Sequence, residues 1–402
     1  MIKLNPLYLS GFGVSLNVDR ARLQVKDGIK EPDVEPERLI VQPRNPRFDS
    51  VIIDGHSGNI TLDAMKWLMR HNIPLFVLDY NGSLLSSTLP KEPTNGPLKI
   101  AQIEAYKNPE KRFYISKKLI EAKIHRTLDV INWIGSRYDL PTKNKQIIHS
   151  ELQTIDKTKN RIGLLSQEAR VAETYWNILY DIFPKKLCFN SRIRSKHQNN
   201  ASDPINVLLN YGYAFLETQC RKALNTVGLE PTIGFLHETK QVKYALAYDI
   251  QEPFRWLIDT TVISCLEEKK FNQKDFFRMD NYVLRLKPEA VKKYLKILRE
   301  KFNSSVIYCG KSYHWDTIIQ LKTQQLAKYI LGKTKEINFS NTSPCLVNLD
   351  EKELRNRILS LSTSEARKHG IRKNTLWHLK KRAKERKPLE VYSKISDKLT
   401  NG

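Results

Sequence analysis

The sequence predicts an α+β chain with a β-rich unit first, a large all-helical unit after it and a small basic helix-turn-helix module last. Three observations carry that reading. Apolar alternation of period two is confined to the first part of the chain, up to Pro90. Helical apolar periodicity dominates from Leu98 to Ile330. From Glu351 onward 15 Lys and Arg face 6 Asp and Glu, so nine of the net +24 charges fall in the last 52 residues. Breaker-rich stretches, Lys91-Glu-Pro-Thr-Asn-Gly-Pro97 and Asn338-Phe-Ser-Asn-Thr-Ser-Pro344, separate the three. The expected domains are therefore 1–92, 97–335 and 346–402.

A chain of 402 residues with 40% hydrophobic content can bury sizeable cores. Its 67 Lys and Arg against 43 Asp and Glu favour a polyanionic partner, with nucleic acid first. No apolar run approaches the roughly 20 residues of a spanning helix, and no basic stretch precedes a signal-type apolar core, so a cytoplasmic protein without a membrane partner is expected. Cys188, Cys220, Cys265, Cys309 and Cys345 are odd in number and widely spaced, which suggests reduced thiols rather than a disulfide framework or a zinc ribbon.

In the β-rich part, Phe12 to Val18 and Arg22 to Val25 alternate around a turn, and Leu39 to Val41 and Val51 to Ile53 are short apolar runs. Thr61 can cap one helix carrying Leu62, Met65, Leu68 and Met69, followed by a strand over Leu75 to Leu78 and the turn Asn81-Gly82. No nucleophile constellation occurs here, and His56 and His71 are expected at the surface.

Beyond Pro97, Leu98 to Tyr106, Phe113 to Ile134 and Lys145 to Asp156 show helical periodicity, with Lys and Arg read as solvated faces. Leu164, Leu165, Glu168, Val171, Ala172 and Tyr175 then fall on one stripe, which puts Glu168 on an apolar face. An ionised carboxylate there is costly unless it is paired, neutral or metal-bound, and a salt bridge to Lys or Arg is as good a reading as a metal. Asn190-Ser-Arg192-Ile-Arg194-Ser-Lys196 lacks periodicity and reads as a basic loop able to clamp phosphates. Asp203-Pro204 opens a helix that Gly228 closes, with Asn206, Asn210 and Tyr213 on one face. Pro288 to Phe302 and Trp315 to Ile330 are further helices.

His237 lies one hairpin upstream of a strand-like run, Tyr244-Ala-Leu-Ala-Tyr, after which Asp249 and Glu252 stand three apart. By spacing alone, two readings stay open: loop and helix caps, or a site where imidazole and carboxylates take a hard divalent cation. In the tail, Ser362 or Thr363 can cap Glu365-Ala-Arg-Lys, Gly370 turns the chain, and a second helix follows with Leu376-Trp-His-Leu-Lys. Lys373, Trp377, His378 and Lys381 are its candidate DNA contacts, against a merely solvated basic hairpin.

Three stretches combine into a pattern: Leu-Leu-Ser-Gln-Glu168-Ala-Arg, then Pro204-Ile-Asn-Val-Leu-Leu-Asn-Tyr-Gly-Tyr, then Gly-Phe-Leu-His237 with Leu-Ala-Tyr-Asp249-Ile-Gln-Glu252-Pro-Phe-Arg255. In order and content they resemble the CRISPR-associated spacer-integration endonucleases, over most of residues 1 to 332. Ala169 stands where that family often has Gly. The basic tail tilts the resemblance toward the transposon-borne casposase branch. The resemblance implies a metal held by Glu168, His237 and Asp249, with Glu252 as a further catalytic acid and Mn²⁺ or Mg²⁺ as the ion. It also implies 3′-hydroxyl DNA ends joined to target duplex by transesterification, with Arg192, Arg194, Lys196 and Arg255 as phosphate-binding candidates. A homodimer or higher oligomer is expected, with a small ferredoxin-like protein as partner in a CRISPR setting. A structure-selective nuclease would use the same site with water as nucleophile. A non-catalytic DNA-binding regulator would leave Glu168 on its apolar face unexplained.

Overall fold

Strand alternation builds two four-stranded sheets at the N-terminus of the computed structural model. The structure describes residues 4–339 except 31–33, 44–45, 80, 92, 94, 139, 141, 190–191, 193–200, 240–242, 279–283 and 309–310, and then residues 358–368 and 373–384. The first sheet has β1 (Pro6–Gly11), β5 (Ser50–Gly55), β7 (Leu75–Leu78) and β8 (Leu84–Thr88) in that order, parallel except for the last pair. The second runs β4 (Arg38–Val41), β3 (Arg22–Lys26), β2 (Val14–Asp19), β6 (Gly58–Ile60). Helix α1 (Leu62–Arg70) follows β6, and Thr61 caps it as expected, accepting from the Ala64 amide.

Alternation explains how this unit joins the rest. On β5 and β7, Val51, Ile53 and Leu75 point into the core between the sheets. Their neighbours Ile52, Phe76 and Leu78 point the other way, into the core of the helical body. At the junction buried Asp54 accepts hydrogen bonds from half-buried Tyr8 (2.7 Å) and buried Tyr211 (3.1 Å) and pairs with buried Arg285 at 2.7 Å.

The helical body comprises α2 (Gly96–Lys107), α3 (Pro109–Gly135), α4 (Thr142–Thr154), α5 (Arg161–Ile182), α6 (Pro204–Val227), α7 (Ala245–Gln251), α8 (Arg255–Glu267), α9 (Pro288–Phe302) and α10 (Trp315–Ile330). Helix α6 is buried on nearly every side from Ile205 to Leu224, which marks it as the central core helix. Asp203 caps it by accepting from the Asn206 amide, and Gly228 ends it at φ +84°. A Cβ on Gly212 would lie 2.3 Å from Ile258, so this glycine sets the close crossing of α6 and α8.

Three expectations are corrected. Tyr244 to Tyr248 is not a strand: Ala245 opens helix α7, because a short apolar run buried all round has no period to distinguish it. The His237 segment is a turn-rich loop rather than a hairpin among the described residues. The helical unit is also not all-α, since β9 (Phe276–Arg278) pairs with β10 (Leu284–Leu286) and β11 (Val306–Tyr308) with β12 (Lys311–Tyr313). Strands of three residues are too short for alternation to show in sequence.

In the tail, α11 (Thr363–Lys368) and α12 (Lys373–Lys384) meet over a small core of Leu361, Ala366, Leu376, Leu379 and Ala383. The Ser362 amide donates to the Glu365 carboxylate and its hydroxyl oxygen accepts from the Glu365 amide, a capping box. Among the described cysteines, Cys188 is exposed, Cys220 and Cys265 are buried, and all three are free. No helix of the described residues is long and apolar enough to cross a membrane.

Candidate active site

Four helices and one loop meet around Lys123, Glu168, His237, Asp249, Glu252 and Arg255. Helix α3 brings Lys123 and α5 brings Glu168; α7 carries Asp249 in its last turn, a 3₁₀ turn (Glu252–Phe254) follows, and α8 begins with Arg255.

The loop carrying His237 is fixed by its backbone. Gln102 donates to the carbonyls of Glu230 and Ile233 and accepts from the Glu230 amide at 2.8 Å. Ser116 and Arg112 donate to the Phe235 carbonyl, and Arg161 to that of Leu236 at 3.0 Å. Arg161 and Arg112 then clasp Glu238 at 2.7 and 3.2 Å. Gly234 permits this path, since a Cβ there would lie 2.7 Å from Ala245. The carbonyls of Glu230, Ile233, Phe235 and Leu236 thus have side-chain donors and that of Pro231 takes the Leu246 amide, as buried backbone requires.

Asp249 completes that loop from the other side. One oxygen accepts from the amides of Phe235 and Leu236, and the other from the His237 amide (3.0 Å) and its Nδ1 (2.8 Å). A carboxylate has about four lone-pair positions, and four donors use them. Asp249, expected as a metal ligand, is fully buried behind His237 and orients it, with Nδ1 engaged and Nε2 left over. Burial alone would lower the His237 pKa, but the hydrogen bond and charge of Asp249 outweigh it and hold the imidazole above its ordinary value.

The carboxylate that faces Glu168 is Glu252. Lys123 Nζ bridges Glu168 Oε1 and Glu252 Oε2, the latter at 2.6 Å, with Glu252 only 3% exposed. Burial would raise the Glu252 pKa, but Lys123, Arg255 and His237 overcome it and bring the carboxyl down to about 2. The Lys123 ammonium is thus the partner of that buried Glu252 oxygen, which the protein otherwise leaves to itself. Glu168 sits at the margin of the α5 stripe: Leu164, Gln167, Val171 and Tyr175 are buried, while Leu165 is exposed. Of the open readings for Glu168, the paired one describes the structure, and among the described residues no three His, Cys, Asp or Glu side chains already form a metal-holding group.

Around this centre the cations gather on one tyrosine. Arg255 donates to Glu252 at 3.2 Å and stacks 4.2 Å from the Tyr213 ring. Arg192 reaches the same ring at 5.1 Å and donates to Asn206 and Asn210 at 2.8 and 3.0 Å, the two asparagines read as sharing a face of α6. Tyr213 and Tyr175 both donate to buried Asp259, whose carboxyl is pushed up by burial. Arg194 and Lys196 lie outside the described residues. Trp377 is 58% exposed and Lys381 lies over its ring at 5.3 Å, next to exposed His378; these three and Lys373 belong to the tail helix α12, not to the α3–α8 site.

Sequence reasoning missed Lys123, Asp259 and the Gln102, Ser116, Arg112 and Arg161 clasp. Lys123 had a signal: it falls on the helical stripe of Leu119, Arg126 and Val130, all buried, and the rule applied to Glu168 would have singled it out.

Residues 7–300 match the family model for CRISPR associated protein Cas1. A CRISPR-associated endonuclease Cas1 of Archaeoglobus fulgidus is 27% identical over 357 residues, covering 83% of this chain and 98% of the relative. The solved structure of a casposase bound to integration product is 38% identical, with a TM-score of 0.82 over 89% of this chain and 99% of that one. A chain in a Cas6-RT-Cas1–Cas2 complex shares the fold at 20% identity, TM-score 0.70, covering 85% of this chain and 36% of that one. With the family model spanning well over half its length, the chain belongs to the Cas1 family.

Proposed function

We propose that this chain is a DNA integrase and endonuclease of the casposase type, which joins 3′-hydroxyl DNA ends to target duplex and depends on a divalent ion. The observation that carries it is the 38% identity over nearly the whole length of a casposase caught with integration product, together with a carboxylate pair and a carboxylate-held imidazole at one site.

The side chains fit Mn²⁺ or Mg²⁺. Glu252 offers a buried oxygen held by no group but the Lys123 ammonium, Glu168 shares that ammonium, and His237 has Nε2 unspent because Asp249 takes Nδ1. A histidine whose second nitrogen is held by a carboxylate is the usual support for a metal ligand. The ligands are then Glu168, Glu252 and His237, with Asp249 as the orienting group. When bound, the ion would polarise the scissile phosphate and offset charge on the entering and leaving oxygens.

The chain's own residues do the rest by positioning. Arg255 and Arg192, parked over Tyr213, are placed to take phosphate oxygens, and Arg offers a planar fork suited to them. A bond forms from the donor 3′ oxygen to the target phosphorus as that phosphorus loses its own 3′ oxygen. No covalent enzyme intermediate is needed, so no Ser or Tyr acts as nucleophile. Helices α11 and α12 serve as a helix-turn-helix that grips duplex through Lys373, Trp377, His378 and Lys381. The protein works as a homodimer or higher oligomer on double-stranded DNA.

Fold similarity to a chain in a Cas6-RT-Cas1–Cas2 complex supports a second setting, spacer acquisition with a small ferredoxin-like partner. A 3′-dideoxy donor oligonucleotide tests the chemistry. Joining to plasmid should vanish while binding persists; cutting that is indifferent to the donor end would make the protein a hydrolytic nuclease.

A further inference from the structure

Lys123 is the group at the centre of the site that ligand chemistry leaves unused. Its ammonium touches both glutamates that face each other, and its side chain is largely buried on α3. Glu168, Glu252, Lys123 and Arg255 therefore pair two anions with two cations, neutral among themselves. Glu252 is 3% exposed, and water does little to relieve excess charge there. A divalent ion entering this set would leave it two positive charges in surplus beside the buried Glu252, and poorly compensated buried charge is expensive. Each DNA phosphate brings one negative charge. Lysine is also the cation best able to move, with a compact ammonium, three donors and a flexible stem.

We propose that Lys123 is a resident counter-cation that withholds the site from a divalent ion until DNA phosphate supplies replacement negative charge. Its ammonium then leaves the glutamates for a phosphate oxygen. The proposal rests on the metal reading of the site above and adds that ion and DNA bind cooperatively through this side chain. Coupling of this kind is reciprocal: what DNA does for the ion, the ion does for DNA.

Mn²⁺ binding to the full chain, followed by the electron paramagnetic resonance signal of free Mn²⁺, tests this without turnover. The DNA is a short duplex with 3′-dideoxy ends. In wild type, DNA should tighten Mn²⁺ binding by about tenfold or more, within the usual range of coupling. Lys123→Met keeps the apolar stem and removes the charge; it should bind Mn²⁺ tightly without DNA, and DNA should then change affinity by less than about threefold. Lys123→Arg keeps the charge and holds both carboxylates in a rigid fork, so Mn²⁺ binding without DNA should weaken. It also serves if circular dichroism shows that the Met variant has lost its fold. Unchanged Mn²⁺ affinity in Lys123→Met, or tighter binding in Lys123→Arg, overturns the proposal alone. A wild type that binds no Mn²⁺ with or without DNA overturns the metal reading and this proposal together.

Discussion

Replacing Asp249 by Asn should cost this protein stability, whereas Glu168→Gln should not. Asp249 accepts four hydrogen bonds from Phe235, Leu236 and His237, two at each oxygen. A carboxamide has one oxygen, so its NH₂ group faces either the Phe235 and Leu236 amides or the His237 amide and Nδ1, of which only Nδ1 can turn acceptor by a change of tautomer. At least one N–H group therefore loses its acceptor, and each such loss costs about 1–3 kcal/mol, giving about 1–6 kcal/mol in all. Glu168 is 25% exposed and its pairing with Lys123 is open to water on one side, so its loss should change stability by no more than about 1 kcal/mol. Urea denaturation followed by circular dichroism measures both. Because Asp249 also fixes His237, the Asn variant should lose joining activity about 10–100-fold. An Asp249→Asn protein as stable as wild type would refute the reasoning, because it would mean that the carboxylate does not hold the loop.

At the junction of the strands and the helical body, Asp54→Ala leaves Arg285 buried without its anion and should destabilise by about 3–5 kcal/mol; adding Arg285→Met should recover much of that in a double-mutant cycle. Asp27 is buried against Lys30 at 2.7 Å and Lys292 at 3.2 Å. Burial alone would raise its pKa, but the bonds from Lys30 and the Ser10 amide hold it below 3.8. Its contribution is present above pH 3.8 and is lost as pH falls through the lower folded value, so Asp27→Asn should flatten the acid limb of stability against pH. An unchanged limb would remove that role. Deleting residues 346–402 should leave the body folded and flatten the fall of log affinity with log salt by about 0.9 for each phosphate that the tail had neutralised. An unchanged slope would take DNA binding away from the tail.

What the sequence made legible followed from periodicity and caps. Helix α6 starts and stops where Asp203-Pro204 and Gly228 suggested, and α9 starts at Pro288, because capping chemistry is local. The parallel pairing of β1 with β5 and of β5 with β7 could not be read, since register joins residues 44 and 24 apart through a core that no local rule sees. The same limit governs the site. Glu168 drew notice because a charge on an apolar stripe demands a partner, yet the partner, Lys123, lies 45 residues upstream on another helix. Asp249 and Glu252 look interchangeable by spacing. Only the path of the 229–237 loop separates them, spending Asp249 on backbone amides and leaving Glu252 to face Glu168.

Joining of a labelled 3′-hydroxyl oligonucleotide to plasmid DNA, in Mn²⁺ or Mg²⁺, by wild type and by Glu252→Gln, measures the central claim most directly. Wild type should join the oligonucleotide and should fail to do so in excess EDTA. Folded Glu252→Gln should lose about a hundredfold or more, as expected when a metal ligand is replaced. Full joining by Glu252→Gln, or by wild type in EDTA, would contradict the claim.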